Sequence, residues 1–381
     1  MSSSVNRARV IQMLRQVAPG GDLGALAQML PAVESEQTLA ADSVHARDAI
    51  NKVATNQAEQ ISDEEQRALE AIVMPVTRPV VYVRNDRYDP LPPPWAHLNE
   101  PEVRQRLEPL LPSVGRIDLP NNPVLPFAGT GFVVSPDLIM TNRHVARLFV
   151  DGVGTRRLTF RPGEVMVDFN REVDEPEDDR PDGFLVRQVV MVHPYWDMAL
   201  LRVDGLPVTN PPLTLSVLPP EELTDRQIMM VGHPARDPRY DLAIQDRVFG
   251  RVYNVKRLMP GIARGRRQMH SFGNPVDALT HDSSTLGGNS GAAVIDVETS
   301  QVVGLHFASI YLEGNFAIPM YELARDSRVV DAGLNFAGHV PGPAPWNWAW
   351  ARADGRISAD TMGAPPESTK AAAAPRPSPS P

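Results

Sequence analysis

From about residue 113 to residue 335, the sequence consists of short apolar segments separated by glycine, proline, asparagine or aspartate. Valine, isoleucine, leucine and phenylalanine dominate these segments, which is typical of β-strands joined by turns. Two groups of about six such segments predict a mainly β protein built from two antiparallel barrels, closed by a helix at about 320–330. The predicted strands are 127–134, 137–141, 156–160, 164–169, 184–193, 197–203, 226–232, 247–255, 277–281, 291–296, 302–308 and 315–318.

Residues 1–75 are predicted to form a helical N-terminal module. Apolar residues recur at helical spacing at Val10, Leu14 and Val17, and the segment from Ser62 to Glu65 has a capping-box pattern. Two interpretations remain open for this module. It either packs as a small bundle that adds stability, or it recruits or regulates, since a barrel domain folds without such an extension.

Two further regions complete the predicted organisation. Residues 76–112 form a proline-rich connector with an extended segment at 79–83 and a short helix beginning at Pro101, and the connector either straps a barrel or occupies a substrate groove. Residues 336–381 are predicted to be a mostly disordered tail, because proline, alanine and serine dominate its end. Its tryptophans dock either on the chain itself or on a partner; they are Trp346, Trp348 and Trp350.

Composition limits the class of protein. The chain has no cysteine, so neither a disulfide nor a thiol nucleophile is available. A net charge of −9 argues against a general nucleic-acid binder. The N-terminus lacks the apolar core of a signal peptide, and no apolar run is long enough to cross a membrane. These features predict a cytoplasmic protein without a nucleic-acid or membrane partner.

The segment 285–291, Thr-Leu-Gly-Gly-Asn-Ser-Gly, places Ser290 in a tight glycine turn. Such a turn presents a hydroxyl and directs neighbouring amides at one point, as acyl transfer requires. A serine needs a base to remove its proton, and the base needs a carboxylate that fixes its tautomer. His144, in Thr-Asn-Arg-His-Val, and Asp197, in Asp-Met-Ala-Leu-Leu, are the candidates for these roles.

These motifs follow one another in the order His, Asp, Ser, and together with Gly-Thr-Gly-Phe at 129–132 they resemble the trypsin-like (chymotrypsin-fold) serine peptidases. Within this family the chain looks like the bacterial V8-like glutamyl endopeptidase branch, which Val-Gly-Leu-His at 303–306 also fits. The resemblance covers roughly 113–335. It implies a chymotrypsin-like double barrel, with His144 and Asp197 on the first barrel and Ser290 on the second.

The resemblance also implies roles for residues around the serine. The backbone amides of Gly288 and Ser290 correspond to the oxyanion hole, and Thr285 and His306 correspond to residues that contact an acidic side chain at P1, the residue before the scissile bond. The alternative interpretation of His306 is a strand histidine whose ring is hydrogen-bonded to backbone atoms. The family enzyme also uses its processed N-terminal amine near this pocket, and no such amine is evident here. Basic residues between Arg251 and Arg267 supply positive charge instead, or form a solvated loop.

The sequence therefore predicts a serine endopeptidase that hydrolyses protein or peptide substrates through an acyl-enzyme, prefers Glu or Asp at P1, and is controlled by its N-terminal region or a regulatory protein bound there. The alternative is a catalytically silent scaffold with a peptidase fold. No cofactor or metal is predicted, because the histidines show no ligand spacing. The acidic run 172–179 lacks the pattern of a calcium loop and is interpreted as a solvated loop.

Overall fold

The structure, a computed structural model, describes the polypeptide in seven main stretches. They are 37–62, 77–161, 165–174, 183–238, 242–310, 314–340 and 345–355, with isolated positions at 11, 23, 64, 65, 69 and 342. The predicted helix around Val10 to Val17, the body of the helix after Ser62, and the Pro/Ala-rich end lie outside these residues. No helix among the described residues has the length and apolarity needed to cross a bilayer.

The first described element is helix α1, Gln37–Ala54, followed by a 3-10 turn at Ala58–Gln60. Helix α1 buries Ala46, Ala49, Ile50 and Val53, which recur in the sequence at helical spacing. The capping box is confirmed: Ser62 N–H donates to Oε2 of Glu65 at 2.7 Å, and Glu65 N–H donates to the Ser62 hydroxyl at 3.1 Å.

The connector packs on the second barrel. Strand β1, Val81–Arg84, forms a hairpin with β2, Arg87–Tyr88, and pairs with the long strand Arg257–Ser271. Helix α2, Pro101–Leu107, begins with proline in its first turn, as predicted. It lies between 3-10 turns at Ala96–Asn99 and Glu108–Ser113. The connector contributes buried apolar side chains to the core, so it is a strap; these are Trp95, Leu98, Leu107 and Leu111.

The first barrel is closed and has six strands. Around the barrel the strand order is β10-β5-β4-β3-β8-β9. A short helix, α3, and a two-stranded sheet of β6 and β7 lie between β5 and β8. The bounds are β3 Val114–Asp118, β4 Phe127–Ser135, β5 Leu138–Thr141, α3 Arg143–Ala146, β6 Val150–Asp151, β7 Thr159–Phe160, β8 Met166–Asp168, β9 Phe184–Val192 and β10 Ala199–Val203.

The second sheet also closes on itself. Its order is β11-β14-β15-β16-β13-β12, and β11 pairs with β12 to complete the ring, to which the β1–β2 hairpin is added. A 3-10 turn, Pro220–Leu223, precedes it. The double-barrel prediction is thereby confirmed. The bounds are β11 Gln227–Gly232, α4 Leu242–Phe249, β12 Arg257–Ser271, β13 Asn274–His281, β14 Ala293–Asp296, β15 Val302–Ile310 and β16 Gly314–Pro319.

Two local predictions are wrong. The expected strand at 247–255 is instead the end of α4 and a turn, because Gly250, Arg251 and Asn254 have positive φ angles of 66°, 61° and 66°, which a strand does not accommodate. The expected helix at 320–330 is divided into α5, Met320–Leu323, and α6, Ser327–Val330, because Asp326 is extended and caps α6.

The basic residues after Arg251 are not a solvated loop. Lys256 is fully buried; its Nζ donates to the Phe169 carbonyl at 2.7 Å and lies 3.4 Å from Oε1 of Glu172. Glu172 is itself buried, so the acidic run does not start as a solvated loop. Arg264 pairs with Asp282 at 2.8 Å. Lys256 and Arg264 are thus each paired with a buried carboxylate and do not supply a free positive field.

The chain after residue 345 returns to the domain as helix α7, Asn347–Ala353. Trp346 and Trp350 are buried against the segment that follows β9, and the ring of Trp350 lies 5.0 Å from that of His193. The Nε1–H of Trp350 donates to Oδ2 of Asp326 at 2.7 Å. Of the two interpretations of these tryptophans, anchoring on the chain's own surface is the one that the structure shows.

We predict that Trp350→Phe lowers the free energy of unfolding by about 3 kcal/mol, because it removes a hydrogen bond to a buried carboxylate and leaves a gap in the packing. Urea denaturation followed by circular dichroism measures this loss. The control is Asn347→Ala on the exposed face of α7, for which we expect a change within about 0.5 kcal/mol. Equal effects of the two substitutions would contradict the prediction.

Candidate active site

His144 and Asp197 meet at one end of the first barrel. In the pairing of β5 with β10, Ala199 lies opposite Thr141, so the residues just after β5 and just before β10 leave the barrel together. Nδ1 of His144 lies 2.6 Å from Oδ2 of Asp197, and the His144 backbone N–H donates to Oδ1 at 2.8 Å. The Asp197 side chain is 5% exposed and that of His144 is 39% exposed. The carboxylate thus orients a ring that stays accessible.

The segment that carries Asp197 is held by a second buried His–Asp pair. Nδ1 of His193 accepts the backbone N–H groups of Tyr195 and Trp196, each at 3.0 Å, and its Nε2 lies 3.0 Å from Oδ2 of Asp326. Burial lowers the pKa of His193 and outweighs the opposing effect of Asp326. A neutral ring with its proton on Nε2 satisfies all three contacts, whereas a proton on Nδ1 would break two of them.

The turn around Ser290 requires its glycines. Gly288 and Gly291 have φ angles of +82° and +90°. A Cβ at Gly288 would lie 2.4 Å from the His233 carbonyl oxygen, and one at Gly291 would lie 1.8 Å from the Thr130 carbonyl oxygen. The motif glycines are therefore needed both for conformation and for close approach of two backbones.

Thr130 of β4 binds this turn from the first barrel. Its hydroxyl donates to the Gly288 carbonyl at 2.9 Å, and its backbone N–H donates to the Ser290 carbonyl at 2.8 Å. Neighbouring Gly129 allows this contact, since a Cβ there would lie 2.7 Å from the Ser290 carbonyl oxygen and 3.0 Å from Cγ2 of Val145. The Ser290 backbone and the residue after His144 therefore face each other across a glycine.

The peptide planes that carry the Gly288 and Ser290 amides are each held by their carbonyl oxygen. The Gly287 carbonyl accepts Ala235 N–H at 2.7 Å, and the Asn289 carbonyl accepts Ala292 N–H at 2.9 Å. A trans peptide N–H points opposite to its carbonyl, so these bonds set the direction of the two amides. Within the described chain, neither the Gly288 nor the Ser290 N–H donates a hydrogen bond.

The serine turn and the segment of His144 are neighbours, since Gly129 lies against both the Ser290 carbonyl oxygen and Val145. No hydrogen bond joins the Ser290 hydroxyl to the His144 ring among the described residues. Strand β15 runs beside the serine turn, because the Gly291 N–H donates to the His306 carbonyl at 2.9 Å. Catalytic hydrogen bonds of a free enzyme are often long and shorten only when substrate binds.

Thr285 and His306, the predicted contacts of the P1 side chain, lie in one hydrogen-bonded network. The Thr285 hydroxyl lies 2.7 Å from the Ser309 hydroxyl, which lies 3.4 Å from Nε2 of His306. Thr285 also donates to Oδ1 of Asn315 at 2.6 Å, and Nδ1 of His306 lies 3.3 Å from Nε2 of His281. Burial, reinforced by the charges of His281 and His144, holds the pKa of His306 well below its usual range.

Sequence reasoning missed several residues of this site. Thr130 and Gly129 were part of a recognised motif, but their contacts with the serine turn depend on how the barrels meet. Asn142 directly precedes the Arg143–His144 pair, and its Nδ2 donates to the Asp197 carbonyl at 3.0 Å. Asn315 comes from β16, and no local pattern in the sequence singles it out.

A His–Asp pair on one antiparallel barrel beside a glycine-bounded serine on another is the arrangement of chymotrypsin-type serine peptidases. Residues 129–305 match the family model of the trypsin-like peptidase domain. Over these residues the chain is similar to the trypsin-like serine endopeptidases.

Three known proteins are similar to this chain. A probable serine protease of Lysobacter enzymogenes is 26% identical over 287 residues, 68% of this chain and 74% of that protein. A serine protease of Mycobacterium tuberculosis is 30% identical over 184 residues, 46% of this chain and 38% of its own length. A glutamyl endopeptidase of Staphylococcus epidermidis is 26% identical over 192 residues, 48% of this chain and 55% of its own length. The chain therefore spans less than two thirds of the last two relatives.

A solved structure, the active form of the M. tuberculosis protease, aligns with 70% of this chain and 95% of its own. The sequence identity is 24% and the TM-score is 0.42.

We predict that stability falls as pH decreases below about 6.5, the usual histidine pKa. Burial lowers the pKa values of His193, His233 and His306, so the unfolded chain binds their protons first and is favoured by acid. Each histidine contributes up to about 1.4 kcal/mol per pH unit in this window.

Urea denaturation between pH 7.5 and 5.5 measures this slope. Comparison of the wild type with His306→Gln isolates the contribution of one histidine, because the carboxylates contribute equally to the slope in both proteins. Glu172 is one of these carboxylates; burial raises its pKa, so its contribution to the slope is opposite to that of the histidines. The slope of the variant should be shallower than that of the wild type. An identical slope would show that His306 is protonated equally in the folded and unfolded states.

Proposed function

We propose that the chain hydrolyses peptide bonds with His144, Asp197 and Ser290 as its catalytic triad. The observation that carries this proposal is the double contact between His144 and Asp197, at 2.6 and 2.8 Å, beside a serine turn that Thr130 binds from the same barrel. A buried carboxylate that accepts both the ring and the backbone N–H of one histidine leaves Nε2 as the ring's free acceptor.

In the proposed reaction, Ser290 Oγ attacks the scissile carbonyl carbon while Nε2 of His144 takes the hydroxyl proton. The tetrahedral intermediate collapses when the C–N bond breaks and His144 gives that proton to the leaving amine. Water then repeats the sequence on the acyl-enzyme, releasing the new carboxylate and restoring Ser290. Asp197 keeps the histidine in the required tautomer and stabilises its charged form.

The negative charge on the substrate oxygen requires donors that are already in place. The amides of Gly288 and Ser290 suit this role, because their peptide planes are held and neither N–H is used inside the described chain. Donors that need no reorganisation are worth about 2.7–4 kcal/mol each in the transition state. Thr130 contributes indirectly, since it holds the carbonyls of Gly288 and Ser290.

We further propose a preference for glutamate, and then aspartate, at P1. The Thr285 hydroxyl and the His306 imidazole belong to one network, and the similarity to a glutamyl endopeptidase supports the same choice. His306 is neutral at pH 7 in the free protein because burial lowers its pKa. A bound carboxylate would raise that pKa by stabilising the imidazolium form.

Control by residues 1–75 or by a protein bound to them is also part of the proposal, as is a cytoplasmic location. The proposed control is supported by packing. Within the described chain, the core clusters of the two barrels include Leu91 and Trp95 of the connector but no side chain of α1. The α1 region thus has a separate packing role. Lys52 of α1 forms an ion pair with Glu65 at 2.6 Å, so this contact lies within residues 1–75.

Ser290→Ala should abolish labelling by a fluorophosphonate probe and lower kcat for peptide hydrolysis by about 10⁵–10⁶-fold, because the attacking oxygen is removed. Ser327→Ala, at an exposed serine on α6, is the matched control and should be labelled like the wild type. Equal labelling of wild type and Ser290→Ala would reject Ser290 as nucleophile. Absence of both labelling and cleavage in the wild type would favour the silent scaffold.

Peptides that differ only at P1 test the acidic preference. Wild-type protein should cleave after glutamate faster than after lysine, and Thr285→Val should lower kcat/KM for the glutamate peptide about tenfold, the effect of one lost charge-assisted hydrogen bond. Thr209→Val, at an exposed threonine, is the control. A preference for lysine at P1 would remove the roles given to Thr285 and His306.

A further inference from the structure

A cavity of about 370 Å³ lies next to the His–Asp pair, where the two barrels and helix α7 meet. Arg143 and Pro194 form one wall, from the segments that carry His144 and Asp197. Phe272 forms a second wall, at the turn between β12 and β13. The third wall belongs to α7. Other lining residues are Val153, Asn274, Trp348, Ala349, Arg352 and Ala353.

The guanidinium of Arg143 has more hydrogen-bond donors than acceptors around it. Its Nη1 donates to the Pro194 carbonyl at 3.3 Å, while its Nε is buried and has no hydrogen-bond partner among the described residues. The group lies over the Phe272 ring, 4.1 Å from its centroid. Burial and then the charge of Arg147 lower the pKa of Arg143, so the cation is held in an unfavourable environment.

Two further arginines increase the positive charge at the cavity. Arg147, just outside the lining, also lies over the Phe272 ring, 5.6 Å from its centroid, and Arg352 of α7 belongs to the lining; both are exposed. Neither makes an ion pair within the part of the chain that the structure describes.

Acidic side chains do not neutralise this charge. The lining contains no aspartate or glutamate among the described residues. Asp354, at the end of α7, is 1% exposed and pairs with Arg328 at 3.0 Å. Asp197 acts on Arg143, but both of its oxygens bind His144. The described lining is therefore cationic, in a chain with a net charge of −9.

We propose that this pocket, the arginine pocket, binds an acidic side chain of the substrate polypeptide at a position other than P1. The inference rests on the proposed endopeptidase function and adds a second specificity site to it. A carboxylate matches the planar donor fork of arginine and would accept from Arg143 and Arg352. Phe272, Trp348 and Val153 provide apolar surface for the rest of the bound residue.

The position of the pocket favours a peptide over a free anion. Arg143 directly precedes the catalytic base, so a chain extending from the scissile bond reaches the pocket within a few residues. Binding energy realised away from the reacting bond helps to orient the substrate there. Helix α7 lies in the tail 336–381, which the sequence predicts to be mostly disordered, and it thereby contributes Trp348 and Arg352 to substrate recognition.

Binding to the full-length Ser290→Ala protein tests the arginine pocket without catalysis. The probes are fluorescein-labelled alanine–serine peptides with glutamate at P1 and a second glutamate placed in turn at each of four positions on either side of the scissile bond. Each has a partner with glutamine at the second site. Fluorescence anisotropy should show about tenfold tighter binding for one glutamate position than for its glutamine partner.

Three variants in the Ser290→Ala background locate the effect. Arg352→Gln and Arg147→Gln should each reduce the preference for the second glutamate several-fold, and Arg352→Lys should restore part of it. Arg87→Gln is the control, because Arg87 is exposed on the β1–β2 hairpin away from the cavity. Circular dichroism melts confirm that all variants fold.

The possible outcomes separate this proposal from the proposed function. Equal binding of every glutamate–glutamine pair, or equal effects of Arg352→Gln and Arg87→Gln, would overturn the arginine pocket even if the wild type cleaves after P1 glutamate. Arg352-dependent binding of inorganic phosphate without any glutamate preference would also overturn it. A glutamate preference that depends on Arg352 would support the pocket even if the wild type shows no hydrolysis.

Discussion

The contact between Thr130 and the serine turn is the interaction on which the site depends. Each barrel supplies one part of the proposed site: one has a histidine oriented by a carboxylate, and the other has a serine hydroxyl on a glycine turn. Thr130 joins them through its side chain and its backbone N–H, and Gly129 and Gly291 allow the two backbones to approach. Because the barrels meet at these atoms, a side chain on either glycine would displace the serine from the base.

Burial determines the electrostatic properties around the site. Desolvation lowers the pKa values of His193, His233 and His306, so these three rings are neutral at neutral pH. His144 differs, since its ring is partly exposed and its Nδ1 is committed to Asp197. An accessible ring with one nitrogen hydrogen-bonded to a carboxylate is the arrangement that the proposed activation of serine requires.

Helix α7 connects the end of the described chain to this machinery. Trp350 and His193 bind the same oxygen of Asp326, and His193 in turn accepts the backbone amides that precede Asp197. The same helix lines the cavity beside Arg143. A segment rich in tryptophan thus supports the loop of Asp197, the proposed catalytic carboxylate, and forms part of the surface that we assign to substrate recognition.

Much of the fold was predictable because strands and motifs are local. The alternation of apolar segments and turn residues located most strands within a few positions, and the glycine turn, the His144 motif and the Asp197 motif stood in the expected order. The strand predicted at 247–255 failed because left-handed residues such as Arg251 and Asn254 carry no reliable local signal. The long strand Arg257–Ser271 is charged, so its apolar pattern is weak.

The sequence by itself determined which residues have the chemistry: Ser290 as nucleophile candidate, His144 as base and Asp197 as its carboxylate. Only the tertiary structure decided how they are supported, since Thr130 binds the serine turn and Asn142 binds the Asp197 carbonyl across long stretches of the chain. Hydrogen bonds and buried charges depend on distances between atoms, which sequence spacing does not encode. The arginine pocket illustrates this, because its walls come from both barrels and from α7.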